Sequence, residues 1–174
     1  MMHHGRVDAT PIYAAVGTLA IAAQYVEDAV GTVFEAALGG SVERARALYD
    51  VVRGNQGQRD AITAALIDLP EIRLEWLALA KSIQSVGEAR GKVVHGRISI
   101  WGGGITLRLS DDGAEVIDAT HGQPEAQVAK VNRSGEPTIF GVSQIAAEVE
   151  RCDRLNRDLA LFVEKVRKAR AAQG

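Results

Sequence analysis

Residues 86–97 read VGEARGKVVHGR, and the spacing of apolar residues changes across this stretch. Before it, apolar residues recur every three or four positions, as on one face of an amphipathic helix. After it, they alternate with polar residues, which is the period of a β-strand. The stretch therefore predicts the end of a long helix, followed by a β-rich segment.

Two side chains in this stretch, Arg90 and His95, are the best candidates for chemistry. Histidine titrates near neutral pH, so it can serve as a general base or acid. Arginine stays charged and can hold phosphate oxygens with its planar fork. On an ideal helix the two side chains would point about 140° apart. We expect them to converge only if Gly91 and Gly96 distort the helix end, or if a second subunit completes the pocket.

An arginine, four residues, then histidine and glycine at a helix end resembles the motif of the HEPN superfamily. Members are small helical bundles, and many are metal-independent endoribonucleases. The resemblance implies a homodimer whose two motifs form one RNase site, with Arg90 on the scissile phosphate and His95 as base or acid. Glu88 matches the acidic residue often found before the motif arginine, where it would orient that arginine. The chain departs from the pattern at Gly91, where active members usually have a polar residue.

A plainer interpretation of the motif is structural. Arg90 would then cap a helix or pair with Glu88 or another carboxylate, and His95 would be a half-buried residue at a helix end. Nearby charges favour an anion, because Lys92, Arg97 and Arg108 add to the positive charge of Arg90 and are candidate contacts for RNA phosphates. Residues 110–125 carry only acidic charges: Asp111, Asp112, Glu115, Asp118 and Glu125. This pattern also fits complementary subunit surfaces, or simply a solvated charged face.

Four helices are predicted before the motif. The first begins at Thr10-Pro11 and closes at Gly39-Gly40, the second is capped by Ser41, the third covers about 58–69, and the fourth runs from Pro70 to Val94 or His95. We expect Gly54, Asn55 and Gly57 to break the second helix. The positions predicted to face inward are Ile12, Val16, Leu19, Ala23, Val26, Val30, Val33, Leu38, Ala45, Leu48, Val52, Ile62, Leu66, Leu69, Ile72, Trp76, Leu79, Ile83 and Val86.

After the motif we predict a β insertion over about 97–119. Ile98 and Ile100 would pair with the run from Ile105 to Leu109 in a hairpin that turns at the glycines 102–104, and 114–119 would form a third strand. Residues 120–142 are predicted to be mostly loop, with a short helical or extended piece in the middle as an alternative. A last helix should run from Ser143 to about Ala171, with an inward stripe of Ile145, Val149, Cys152, Leu155, Leu159, Phe162 and Val166. We expect the first, fourth and last helices to pack together.

The composition limits the possible classes of protein. A length of 174 residues fits one domain, and a formal charge of −2 argues against a dedicated nucleic-acid coat while permitting a small basic site. The single Cys152 forms no internal disulfide, which suits a reducing cytoplasm. Charged and polar residues interrupt the most apolar stretch, 12–38, so no membrane span is expected. No zinc motif or other cofactor signature is present in the sequence.

The sequence thus predicts a mainly α single domain covering residues 1–174, a bundle of about five helices with a small antiparallel β-hairpin insertion before the last helix. The first functional hypothesis is a HEPN-like endoribonuclease that needs no metal or cofactor. It would act as a cytoplasmic homodimer on RNA, in a toxin or defence role, with an antitoxin or another protein as a further partner. The alternatives are a catalytically inactive HEPN-like module that binds a partner or nucleotide, and a helical dimerisation module without a ligand. Gly17, Gly31 and the many alanines of the first helix predict a face that another backbone approaches closely, which supports the dimer.

Overall fold

A computed structural model of the chain describes residues 8–101, 106–110, 113–118, 125–131 and 137–173. Its helices are α1 (Thr10–Leu38), α2 (Val42–Val51), α3 (Gly54–Ala65), α4 (Pro70–Val94) and α5 (Val142–Ala171). Between α4 and α5 lie strands β1 (Arg97–Trp101), β2 (Thr106–Ser110), β3 (Gly113–Asp118), β4 (Glu125–Val131) and β5 (Pro137–Phe140). The prediction of a mainly α protein with antiparallel strands before the last helix is confirmed.

The chain divides into two compact units. The helical unit comprises Ala20–Arg90 and Glu148–Gly174, and the mixed unit comprises Met1–Leu19 and Gly91–Ala147, which includes all the strands. The expectation of a single domain stays a prediction. Among the helices in the described ranges, none has both the length and the apolar character required to cross a membrane.

The core of the helical unit is built around Trp76 of α4, which is fully buried. Its indole N–H donates to Thr63 Oγ1 at 3.0 Å and lies 3.4 Å from the carbonyl oxygen of Arg59, both in α3. Its ring stacks on Phe162 of α5, with centroids 6.0 Å apart. A buried indole needs a hydrogen-bond acceptor, so Trp76 both fills the core and fixes where α3 and α5 pack on α4.

Arg170, near the end of α5, holds the ends of two other helices. Its Nε and Nη2 atoms donate to the carbonyl oxygen of Ala37 at 3.0 and 2.8 Å, and Nη2 also donates to that of Ala65. Carbonyls in the last turn of a helix lack intrahelical partners, so the guanidinium caps both α1 and α3. Its Nη1 donates to Asp68, which lowers the pKa of that carboxyl group. Contacts within this unit thus join the last helix to the first through Arg170 and to the fourth through Trp76, as predicted.

Most of the predicted inward positions are buried. Leu38 and Leu48 are exposed although their spacing placed them on the apolar stripes, and five other positions are only half-buried: Val16, Val52, Leu69, Leu79 and Val149. Leu38 is the last residue of α1, and α2 buries only Ala45. The buried members of the stripes are Ile12, Leu19, Ala23, Val26, Val30, Val33, Ala45, Ile62, Leu66, Ile72, Trp76, Ile83, Val86, Ile145, Cys152, Leu155, Leu159, Phe162 and Val166.

The prediction for the start of α3 was wrong. Gly54, Asn55 and Gly57, expected to lie in a break, form its first turns, and the helix ends at Ala65 rather than 69. Gly54 has a φ of 75°, a left-handed conformation that glycine adopts without steric cost. Helix α3 therefore begins earlier than its apolar residues suggest.

The glycines of α1 do not make the predicted backbone contact within the described chain. A Cβ added at Gly31 would lie 3.4 Å from the ring of Tyr49, which is a side chain and not a backbone. A Cβ at Gly17 would meet no described atom within 4 Å. Gly31 therefore makes room for an aromatic ring in the helical unit, where Tyr49 also contacts Phe34 with centroids 5.4 Å apart.

The strand pairing in the mixed unit differs from the predicted hairpin. Strand β1 pairs with β4 and not with β2, in a three-stranded antiparallel sheet of order β1-β4-β5. The register sets Ile98 opposite Val128 and Ile100 opposite Ala126. The hairpin is instead formed by β2 and β3, which flank residues 111–112. Either pairing matches apolar with apolar residues, so alternation alone could not identify the partner of β1.

The segment predicted to be loop, 120–142, contains two strands, β4 and β5. They pair in antiparallel register from Val128 opposite Phe140 to Val131 opposite Pro137. Strand β4 is the centre of its sheet, and its Val128 is fully buried. Gly122, Pro124, Ser134, Gly135 and Pro137 suggested a loop, but apart from Pro137, the first residue of β5, these residues fall between the strands and outside the described residues.

Replacing Arg170 by alanine should destabilise the protein by about 2 kcal/mol, because it leaves helix-terminal carbonyls without their charged donor. The matched control is Arg167→Ala, three positions away on the same helix, whose guanidinium pairs, among the residues that the structure describes, only with the exposed Glu164. That change should cost less than about 0.5 kcal/mol. Chemical denaturation of both variants measures the difference, and equal losses would contradict the capping role of Arg170.

Candidate functional site

Arg90 lies in the last turns of α4, in the helical unit. Its Nη1 donates to Oε1 of Glu27 on α1 at 3.0 Å, and each side chain is 35% exposed. Its Nε is buried, with no hydrogen-bond partner among the described residues. Arg90 is therefore fixed by a carboxylate of its own chain, while part of its guanidinium remains accessible to solvent.

The carboxylate on Arg90 is not the one expected from the sequence. Glu88 is exposed and accepts a hydrogen bond from Gln84 at 3.0 Å. Residues two positions apart on a helix point about 200° away from each other, so Glu88 and Arg90 face opposite directions. Glu27 takes that place from 63 residues earlier in the chain. In the sequence, Glu27 stands out only as an acidic residue within the most apolar stretch, 12–38.

His95 is the residue that follows α4, in the mixed unit, and it is exposed. Its backbone N–H lies 3.4 Å from the carbonyl oxygen of Gly91. The boundary between the two units falls directly after Arg90. Each residue of the motif is thus described in its own unit, and a joint site of Arg90 and His95 stays a prediction.

Gly96 has a clear packing role in the mixed unit. A Cβ at this position would collide with Cγ1 of Val128, and would lie 2.8 Å from the carbonyl oxygen of Lys92 and 3.2 Å from that of Ala129. Strand β4 thus passes so close to the end of α4 that only glycine fits. The φ of Gly96 is not positive. The glycine of the motif is accordingly required by the approach of β4 and not by a left-handed turn.

The other predicted basic residues lie on three different elements. Lys92 is exposed on α4, Arg97 begins β1 opposite Ala129, and Arg108 lies in β2 opposite Glu115. Strands β1 and β2 belong to different sheets. The side chains of Arg97 and Arg108 lie outside the described residues, as do those of the acidic residues of 110–125. The predicted contrast between a basic and an acidic surface therefore stays a prediction.

Sequence reasoning did not identify Lys130 of β4. Its Nζ donates to the carbonyl oxygen of Gly91 at 3.2 Å. A cation at this position complements the negative pole of α4 and satisfies a carbonyl in its last turn. Lys130 therefore fastens β4 to the end of α4, beside the glycine contact.

The helical unit also contains a polar cavity of about 480 Å³ between α1, α2 and α3. Four carboxylates line it, those of Glu27, Asp28, Glu35 and Asp50, together with Arg46. Arg46 is paired with Glu35 at 2.6 Å. Negative charge therefore dominates the lining, which makes the cavity unsuitable for phosphate. Glu27 belongs to this lining and to the ion pair with Arg90.

The wall of this cavity includes Tyr49, whose ring lies over Gly31. Burial, followed by the negative charges of Glu27 and Asp28, raises the pKa of Tyr49 to about 12. The phenol therefore stays protonated across the whole physiological range. Elsewhere in the helical unit, burial raises the pKa of the Cys152 thiol, which lies on the apolar stripe of α5 as predicted. Such a thiol is a packing residue, since reactivity requires the thiolate.

Within the described ranges, no three His, Cys, Asp or Glu side chains lie together in a geometry that could hold a metal ion. Comparison of the chain with known protein families, with curated proteins and with solved structures finds no match.

Substitution of the two motif glycines by alanine should have opposite effects. Gly96→Ala should cost about 1–3 kcal/mol, because the new methyl group must displace β4. Gly91→Ala should be neutral or stabilising by up to about 1 kcal/mol, because Gly91 lies inside the helix with no described atom within 4 Å of an added Cβ. Thermal or chemical denaturation compares them. A neutral Gly96→Ala would mean that β4 does not pack closely on this residue.

Ionisation of Tyr49 offers a test of the acidic cavity. Subtracting the ultraviolet titration of Tyr49→Phe from that of the wild type should leave one ionisation with a midpoint near pH 12. Because this pKa is raised above the unfolded value of about 10, the associated stability is complete below pH about 10 and is lost as the pH rises towards 12. A midpoint near 10 would show that Tyr49 is neither buried nor close to the carboxylates.

Proposed function

We propose that this protein is a HEPN-like ribonuclease that cleaves RNA without a metal ion, with Arg90 binding the scissile phosphate and His95 acting as base or acid. The observation that carries the proposal is the exposure of His95 at the end of α4, where an RNA strand can reach the imidazole. Arg90 adds a permanent charge that is partly open to solvent. The HEPN-like motif supplies the rest of the argument.

The chemistry requires two groups. A base removes the proton from a 2′-hydroxyl, whose oxygen then attacks the neighbouring phosphorus while the bond to the 5′-oxygen breaks. A cation stabilises the negative charge that builds up on the phosphoryl oxygens. Histidine and arginine fit these two roles at neutral pH, and neither role needs a metal ion.

The proposed active form is a cytoplasmic homodimer. The ideal helical spacing points Arg90 and His95 in different directions, so a second copy would bring the arginine of one motif near the histidine of the other. Lys92, Arg97 and Arg108 are proposed to contact flanking phosphates. In a toxin or defence role, an antitoxin or another protein would be a further partner.

A second candidate is a catalytically inactive HEPN-like module that binds a partner or forms a dimer. The specific observation that favours it is the ion pair between Arg90 and Glu27. An arginine that already has a carboxylate partner within its own chain has a structural role without any substrate. The buried Nε of Arg90 fits this alternative as well.

Cleavage of RNA by purified protein in EDTA separates the two candidates. His95→Ala should reduce the rate by at least about 10²-fold, the usual contribution of a general acid or base. His121→Ala is the matched control, because it removes an imidazole to which no role is assigned, and it should cleave like the wild type. The oligomeric state and thermal stability of each variant are recorded alongside.

The possible results lead to different conclusions. Loss of cleavage in a folded, dimeric His95→Ala protein supports the ribonuclease. Equal cleavage by wild type and His95→Ala contradicts the role of His95 and points to another site or a contaminant. If the wild type cleaves none of several RNAs between about pH 6 and 8, where histidine changes protonation state, the binding module becomes the better proposal.

A further inference from the structure

Arg90 and Glu27 face each other within the helical unit, 3.0 Å apart between Nη1 and Oε1. A phosphate that approaches the guanidinium meets this carboxylate at the tip of the arginine. The Nε edge offers no alternative approach, because that atom is buried. Any anion that binds Arg90 must therefore share the tip with Glu27 or displace it.

The surrounding charge strengthens this competition. Asp28 follows Glu27 on α1 and is exposed, with its Oδ1 accepting a hydrogen bond from Gln24 at 3.0 Å. Both acids line the negatively charged cavity of the helical unit. The negative charges of Glu27 and Asp28 repel an incoming phosphate, and solvent at a half-exposed site screens this repulsion only in part.

We infer that Glu27 is a positioning residue that also restrains Arg90, competing with RNA phosphate for its guanidinium. The ion pair holds the arginine in place while no RNA is bound and lowers its affinity for phosphodiesters. The inference rests on the proposed function, in that it assigns the anion on Arg90 to the backbone of single-stranded RNA.

The decisive variant is Glu27→Gln. An amide oxygen can still accept the hydrogen bond from Arg90, so the arginine keeps its position while the competing charge is removed. Binding is measured by fluorescence anisotropy with a short 2′-O-methyl oligoribonucleotide, which cannot be cleaved because it lacks the attacking hydroxyl. Glu27→Gln should bind this probe about fivefold more tightly than the wild type, the size expected for one partly exposed ion pair.

Asp28→Asn is the matched control, since it removes the same charge one residue away from Glu27. The Asp28 carboxylate accepts its hydrogen bond from Gln24. The effect of Asp28→Asn should stay below about twofold, because it acts only through the screened general field. The gain in Glu27→Gln should vanish in the double variant Glu27→Gln, Arg90→Ala. A gain in affinity also separates this role from a merely structural one, because loss of a structural ion pair would lower both stability and binding.

Two results would overturn the inference: binding by Glu27→Gln no tighter than by Asp28→Asn, or a gain that persists without Arg90. The binding probe and the cleavage assay fail independently. Tighter, Arg90-dependent binding in a protein that cleaves no RNA would reject the ribonuclease and keep the competition at Arg90. His95-dependent cleavage without any effect of Glu27→Gln would keep the ribonuclease and reject the competition.

Discussion

The helical unit depends on the burial of one tryptophan. Trp76 has no exposed surface, so its indole N–H must be satisfied inside the protein, and Thr63 accepts that hydrogen bond at 3.0 Å. The acceptor fixes α3 against α4, and the stacked ring of Phe162 fixes α5. A purely apolar residue of similar size would fill the same space without this directional requirement. The packing of α3 on α4 thus follows from a single polar atom that cannot be left without a partner.

Periodicity predicted the parts of the fold in which neighbours in sequence are neighbours in space. The stripes of α1, α4 and α5 are local patterns, and most of their residues are buried as expected. The failures involve distant partners. Ile98 finds Val128 and not the run after the glycines, because both strands offer a matching apolar face and the choice between them depends on the whole mixed unit. The prediction at Gly54 failed for another reason, since a glycine typical of a break between helices is here the first residue of α3.

The same distinction applies to the motif. Arg90 and Gly96 were identified from the motif, but the residues they contact are distant in sequence. Glu27, which pairs with Arg90, lies 63 residues earlier in the chain. Val128 in β4 explains why position 96 must be glycine. No spacing rule connects these pairs, because each depends on how helices and strands pack. The sequence could therefore identify candidate residues of a site but could not predict which residues surround each of them.

Packing accounts for two of the three motif positions without any appeal to function. Gly96 admits β4, and Arg90 neutralises a half-buried carboxylate on α1. His95 is different, because its side chain is exposed and its backbone N–H, not its imidazole, donates to the carbonyl oxygen of Gly91 within the described residues. A structural explanation therefore covers the arginine and the glycine but leaves the histidine without a role. The case for catalysis rests on that exposed imidazole. Arg90 fits both the ribonuclease and the inactive binding module, since its ion pair can be a permanent structural contact or one that a phosphate displaces.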